Sequence, residues 1–269
     1  MTHAMSLFLT AASLVVAPVA YGWVATHAPT ARHPSVRWLT RGRPTTRRVV
    51  TCGASITHGR MSHDWVADLE ARLGHEWAFL NTGRNARRAS DVRRWTSVAA
   101  LWRPDVAIVM VGVNDALARS SVDRYRAELR RIVAQLQPAR VALMTLTVLG
   151  DDPDGEPLRT QAPYNDAIRE VAAETGSRLL DIAQAQVAWL RANPRAHGRS
   201  LREYPSLAAS SIAQRYVLRR TWDRITHAHG LALTTDLVHQ NRVGGAIIAD
   251  HVERFLRELD ATEPKDTIA

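Results

Sequence analysis

Between residues 48 and 182 short apolar runs alternate with amphipathic stretches, a rhythm that few folds accommodate. Arg48 to Cys52 is a β-branched run that stops at Gly53, and Trp77 to Leu80 is a second strand. Val106 to Val111 is apolar at every position, as a strand covered on both faces requires. Val141 to Val148 and Arg178 to Ile182 complete the set. The intervening segments carry helical spacing. Trp65, Val66, Leu69 and Leu73 follow Ser62, a candidate N-cap, and end at Gly74; a second helix runs from about Ser90 to Trp102. Val122, Tyr125, Leu129, Ile132, Val133 and Leu136 form a stripe stopped by Pro138, and Tyr164, Ile168 and Val171 mark a helix ended by Gly176. Strands alternating with helices in this way predict a parallel, doubly wound sheet. Residues 183–235 break the pattern with two expected helices, over 184–192 and 206–227, before a last helix from about Gly245 to Leu259.

Charge excludes one class of function. The 269 residues carry a net charge of +9, which invites a nucleic-acid partner. Residues 1–60, however, hold seven Arg and no acid, whereas the remainder sets 28 basic against 26 acidic side chains. The body is nearly neutral, and bulk nucleic-acid binding loses its support. A single cysteine, Cys52, excludes an internal disulfide and a cysteine-based zinc site, and reads as a small core residue.

The basic excess belongs to a leader. Met5 to Ala25 is an uncharged, mostly apolar run of bilayer-spanning length, followed by an Arg- and Pro-rich stretch, Pro29 to Arg48. Ala20-Tyr21-Gly22 is a passable cleavage site, which fits a signal peptide; the arginines behind the run fit an uncleaved anchor with a cytoplasmic body. Either way, membrane attachment or export is expected, on an unresolved side. The organisation expected is a hydrophobic segment at 1–28, a linker at 29–47, a catalytic domain at 48–260 with a helical insertion at about 183–231, and a polar tail at 261–269.

Ligands of an open parallel sheet bind beyond the carboxyl ends of its strands. Strand one is followed there by Gly53-Ala54-Ser55-Ile56-Thr57, strand two by Asn81-Thr82-Gly83, and strand three by Gly112-Val113-Asn114-Asp115. Asp236-Leu237-Val238-His239 lies just before the last helix. A hydroxyl, a His with a nearby carboxylate, an amide and exposed backbone N–H groups are the parts that nucleophilic acyl transfer needs. Read singly, Ser55 serves equally as a helix N-cap, Asn114 as a turn cap, and Asp236 and His239 as metal ligands. Their joint placement favours the acyl-transfer reading.

The four blocks, in this order and at these strand ends, resemble those of the GDSL, or SGNH, hydrolase family. The resemblance covers residues 48–182 and 232–258, with Ala54 where the family has Asp and Ala86 where many members have a second Gly. It implies a three-layer α/β/α sandwich on a flavodoxin-like, five-stranded parallel sheet. It also implies Ser55 as nucleophile, His239 as its base and Asp236 as the residue that orients the imidazole. The Ser55 and Gly83 backbone N–H groups and the Asn114 amide would form the oxyanion hole. No metal and no organic cofactor are implied. The substrate implied is a carboxylic ester of a lipid, an acylated carbohydrate or a small acyl group. An acyltransferase would use the same residues, and a catalytically silent, membrane-tethered binding protein would keep the fold alone. In the insertion, Trp189, Leu190, Leu207, Tyr216, Val217, Trp222 and Ile225 either cap Ser55 as an acyl pocket or pack helices onto the sheet. The Arg215, Arg219, Arg220 and Arg224 face reads as solvated surface.

Overall fold

A computed structural model describes residues 20–30, 33, 46–194 and 199–262. Most of the apolar run, the linker over 34–45 and the tail from 263 lie outside them. Five parallel strands form one sheet: β1 (Arg47–Gly53), β2 (Trp77–Asn81), β3 (Val106–Met110), β4 (Arg140–Met144) and β5 (Arg178–Leu180). Their spatial order is β2-β1-β3-β4-β5, the order of the flavodoxin-like doubly wound sheet. Register is set by apolar pairs such as Val50 beside Leu80, Ile108 beside Ala142 and Leu143 beside Leu179. Reversal of the winding direction at β1 opens a crevice between the carboxyl ends of β1 and β3.

The helices follow from their sequences. α1 (Ser55–His58) is a single turn, and α2 (Trp65–Leu73) buries the four apolar residues of its stripe. α3 (Ala89–Leu101) precedes β3, and α4 (Val113–Leu117) follows it. α5 (Val122–Leu136) starts at Ser121, whose side chain accepts from the Arg124 N–H, and buries Tyr125, Leu129, Ile132, Val133 and Leu136. α6 (Glu156–Thr175) ends at Gly176, which takes the left-handed conformation a C-cap favours, with φ of 67°. These faces and the strands share one core that includes Ile108, Leu129, Leu143 and Ile168. Each such side chain contributes about 1.5–3 kcal/mol on burial.

Several boundaries differ from expectation, for tertiary reasons. Asp64, not Ser62, caps α2, by accepting from the Ala67 N–H at 3.0 Å. Ser62 instead exchanges hydrogen bonds with the Gln240 backbone, donating to its carbonyl at 3.1 Å and accepting from its N–H at 2.9 Å. β4 stops at Met144 because β5 offers only three residues to pair with. The next segment stays buried by giving its N–H groups to side chains: Leu146 to Asn165, Val148 to Gln186 and Leu149 to Gln161.

The insertion forms more helices than expected. They are α7 (Ile182–Ala192), α8 (Tyr204–Ile212) continued by a π-helical turn over Ala213–Val217, and α9 (Trp222–Ala228). The predicted long helix breaks at Arg219, whose φ is +53°, and restarts where Thr221 accepts from the Arg224 N–H. α10 (Arg242–Thr262) closes the sandwich. Ahead of β1, a short helix over 20–27 lies against the body: Asn85 donates to the Thr26 carbonyl at 2.8 Å, and Arg60 to that of Pro29 at 3.1 Å. Among the described residues no helix is long and apolar enough to cross a membrane.

Candidate active site

β1 delivers Ser55 to the crevice through a tight exit. A Cβ on Gly53 would lie 2.1 Å from Thr57 Oγ1 and 2.4 Å from the Met110 carbonyl, so only glycine lets the chain turn there. Ser55 is the first residue of α1, and its N–H therefore has no acceptor within the helix. Ala54, at the cap position, makes no side-chain hydrogen bond to the helix.

The loop over 231–241 brings the remaining polar groups. His239 Nε2 lies 2.9 Å from Ser55 Oγ, and His239 Nδ1 lies 2.8 Å from Asp236 Oδ2. All three residues are buried. Asp236 is immobilised by its own loop, since Oδ1 accepts from the backbone N–H groups of His239 at 2.8 Å and Val238 at 3.1 Å. That leaves Oδ2 for the imidazole and sets the proton on Nδ1, so Nε2 accepts from the serine hydroxyl. Sequence positions 184 residues apart thus meet in one hydrogen-bonded chain.

The two outlying positions are placed less simply. Asn114 sits in the first turn of α4 and donates one amide hydrogen to the Arg87 carbonyl at 2.9 Å, which leaves its second for a ligand. Gly83 packs against α1: a Cβ there would be 2.5 Å from the His58 nitrogen. Its N–H, however, donates to Asn81 Oδ1 at 2.9 Å, while Asn81 Nδ2 donates to the Thr57 carbonyl at 2.7 Å. Gly83 reaches an oxyanion only by sharing or surrendering that bond. Of the three donors expected, Gly83 is thus the one whose N–H already has an acceptor within the fold.

Other residues complete the surroundings. Asp115 caps α3 by accepting from the Ala89 N–H at 3.0 Å, and burial pushes its carboxyl up to about 6. Tyr204, from the insertion, stands with its ring centroid 6.2 Å from that of His239; burial and the neighbouring Asp236 raise its phenol, so it stays protonated. Leu207 packs with Leu231 and Leu237 beneath it. Of the other insertion residues, Leu190, Trp222 and Ile225 are buried and Val217 is exposed, while the Tyr216 hydroxyl donates to the Arg60 carbonyl. Cys52 is buried in β1, and its thiol is pushed up to about 11. Among the described residues no group of three or more His, Cys, Asp or Glu is arranged to hold a metal ion.

The sequence did not single out Asp151. Its carboxylate accepts from the backbone N–H groups of Ala232, Leu233 and Thr234 and from the Thr234 hydroxyl, clamping the start of the His239 loop. It follows strand four at the same sheet edge, so the rule that located Ser55 and Asn114 points at it too. Tyr204 had no such signal.

Known proteins share the fold. An acetylxylan esterase of Geobacillus stearothermophilus is 26% identical over 155 residues, which is 52% of this chain and 70% of that protein. The crystal structure of an acetyl xylan esterase superposes with a TM-score of 0.60 at 20% identity, covering 78% of this chain and 99% of that one. A lipase/acylhydrolase of Enterococcus faecalis gives 0.56 at 20% identity, covering 82% of this chain and 100% of the other. Fold and relatives define the class, an ester-hydrolysing enzyme built on a parallel α/β/α sandwich. Within it, the chain belongs to the GDSL-like Lipase/Acylhydrolase family, whose model matches residues 50–206.

Proposed function

We propose that the protein is a serine esterase that removes small acyl groups, acetyl foremost, from carbohydrate hydroxyls through a Ser55–His239–Asp236 triad. The observation that carries this reading is the continuous contact from Ser55 Oγ through His239 to Asp236, at 2.9 and 2.8 Å, with a fixed imidazole tautomer. The acetyl preference is supported by the names of the similar proteins and by confinement: Ser55 is only 7% exposed, and Tyr204 walls its base.

The steps follow from the groups present. His239 Nε2 takes the Ser55 proton as Oγ attacks the ester carbonyl, and the charge that develops on the carbonyl oxygen is met by the Ser55 N–H and the Asn114 amide. Asp236 stabilises the imidazolium. Collapse of the intermediate breaks the carbon–oxygen bond, His239 returns its proton to the departing alkoxide, and the acyl group remains on Ser55. Water then attacks the acyl carbon while His239 takes its proton; the bond to Oγ breaks, His239 returns the proton to Ser55, and the carboxylic acid leaves.

The test is product analysis with acetylated xylooligosaccharides in water and in the presence of a competing sugar acceptor. Equimolar acetate and deacetylated sugar support the reading. Acetyl groups recovered on the acceptor in place of free acetate would sink it in favour of a transferase.

A further inference from the structure

A cavity of about 310 Å³ opens at the His58 end of α1, and its wall includes Gly83. Its polar lining is formed by His27, His33, His58, Arg84, Asn85 and Arg87, with no acidic residue among them. The segment ahead of β1 builds one side, the loop after β2 the other, and His58 at the end of α1 the floor. The cavity therefore meets the turn that carries the candidate nucleophile at its far end: α1 begins at Ser55 and ends at His58.

The electrostatics of this cavity are one-sided. The Arg84 guanidinium carbon sits over the Trp95 ring, 3.6 Å from its centroid, a cation–π arrangement that holds the group in place and leaves N–H donors for a ligand. Among the described residues no carboxylate pairs with Arg84 or Arg87, and burial together with the Arg87 charge works against the protonated Arg84. His58, held by Asn85 Oδ1 at 3.1 Å, is pushed down to about 4 by burial and stays neutral, as a hydrogen-bonding group and not a charge. Burial and Arg84 likewise lower His33. A cation has nothing to gain here. An oxyanion would give Arg84 and Arg87 the counter-charge that no carboxylate among the described residues supplies, and bidentate pairing with a carboxylate or phosphate is what a fixed guanidinium does best.

We propose that this cavity is a substrate subsite for an anionic group, a carboxylate or a phosphate, carried by the ester that the adjoining triad cleaves. The proposal rests on the esterase reading and narrows its substrate: the preferred ester is acidic. A volume near 310 Å³ suits one sugar-sized unit and lies at the small end of ligand cavities.

Binding is tested on the full-length Ser55→Ala chain, which lacks the nucleophile and keeps the cavity. Tryptophan fluorescence is titrated with glucuronate, with inorganic phosphate and with glucose as the neutral control. Glucuronate or phosphate should bind and glucose should not. Arg84→Gln in the same background should weaken the anion about ten- to hundredfold, as loss of a charge-assisted partner does, and the exposed Arg87→Gln should weaken it in the same direction. The source of the anion is then read on the wild-type chain from two kcat/KM ratios: acetylated glucuronate over acetylated glucose, and an acyl glycerophosphate over the matching acylglycerol. The larger ratio names the group, and Arg84→Gln should bring it toward one. The proposal is overturned if neither anion binds the Ser55→Ala chain, if the arginine variants bind as tightly as their parent, or if both ratios are near one. Binding is read on an inert chain, so a failure of the triad assignment and a failure of this subsite give different results.

Discussion

At His239 two neighbours decide the chemistry. Asp236 holds the proton on Nδ1, and the two backbone N–H groups on Asp236 Oδ1 keep that carboxylate from turning away. Asp236→Asn preserves shape but offers an amide N–H where an acceptor is needed, so the imidazole flips its tautomer and Nε2 no longer accepts from Ser55. The expected loss in kcat is on the order of 10⁴-fold, read from initial rates on an activated acetate ester, with an unchanged melting temperature. Asp115 carries a second prediction. Its folded carboxyl titrates near 6 against an ordinary 3.8, because burial disfavours the charged form. Below 3.8 both folded and unfolded states are protonated; between 3.8 and about 6 only the unfolded chain ionises, so this group's contribution to stability falls as pH rises. Asp115→Asn, which still accepts from Ala89, should gain melting temperature relative to wild type across that window. A constant difference between the two proteins at all pH values would contradict the assignment.

At the scale of elements, the site depends on a loop that is not itself regular structure. The 231–241 segment is held by Asp151 at its start, by the Ser62 and His63 turn at Gln240, and by an isolated antiparallel bridge between Thr234 and Gln240. Leu237 sits at a φ of +80°, a strained conformation costing about 1–3 kcal/mol, and its carbonyl is tied down by the Gly150 N–H at 2.7 Å. Asp151→Ala would leave three buried N–H groups without their acceptor, at about 1–3 kcal/mol each. The variant should melt earlier and lose kcat more than KM, since His239 moves while the cavity stays. Retention of wild-type kcat in a destabilised variant would show that the clamp does not position the base. These tertiary ties explain what was illegible in the sequence. Ser62 looks like a helix cap and is a hook; Leu146, Val148 and Leu149 look like strand and donate instead to Asn165, Gln186 and Gln161. No local pattern distinguishes those roles.

Over the whole molecule, the legible part was the part that periodicity controls. Five apolar runs gave five parallel strands, and reading the residues at their carboxyl ends placed Ser55 and Asn114 on either side of the β1/β3 crevice. The loop partners Asp236 and His239 came from a short motif, and the distance between His239 and Ser55 follows only from the fold. Gly83 shows the limit: its position was legible, but the direction of its N–H, toward Asn81, was not. The insertion was the least legible because its helices earn their place by packing on the His239 loop, as Leu207 does on Leu231 and Leu237, and not by a sheet-facing stripe. The arrangement of sheet, crevice and clamped loop makes one claim above the others, that Ser55 is the nucleophile. The most direct measurement is hydrolysis of p-nitrophenyl acetate by the full-length chain and its Ser55→Ala variant, with matched circular dichroism. A drop on the order of 10⁴-fold or more in kcat, with the fold intact, is the predicted result. A folded variant that keeps wild-type turnover would contradict the account.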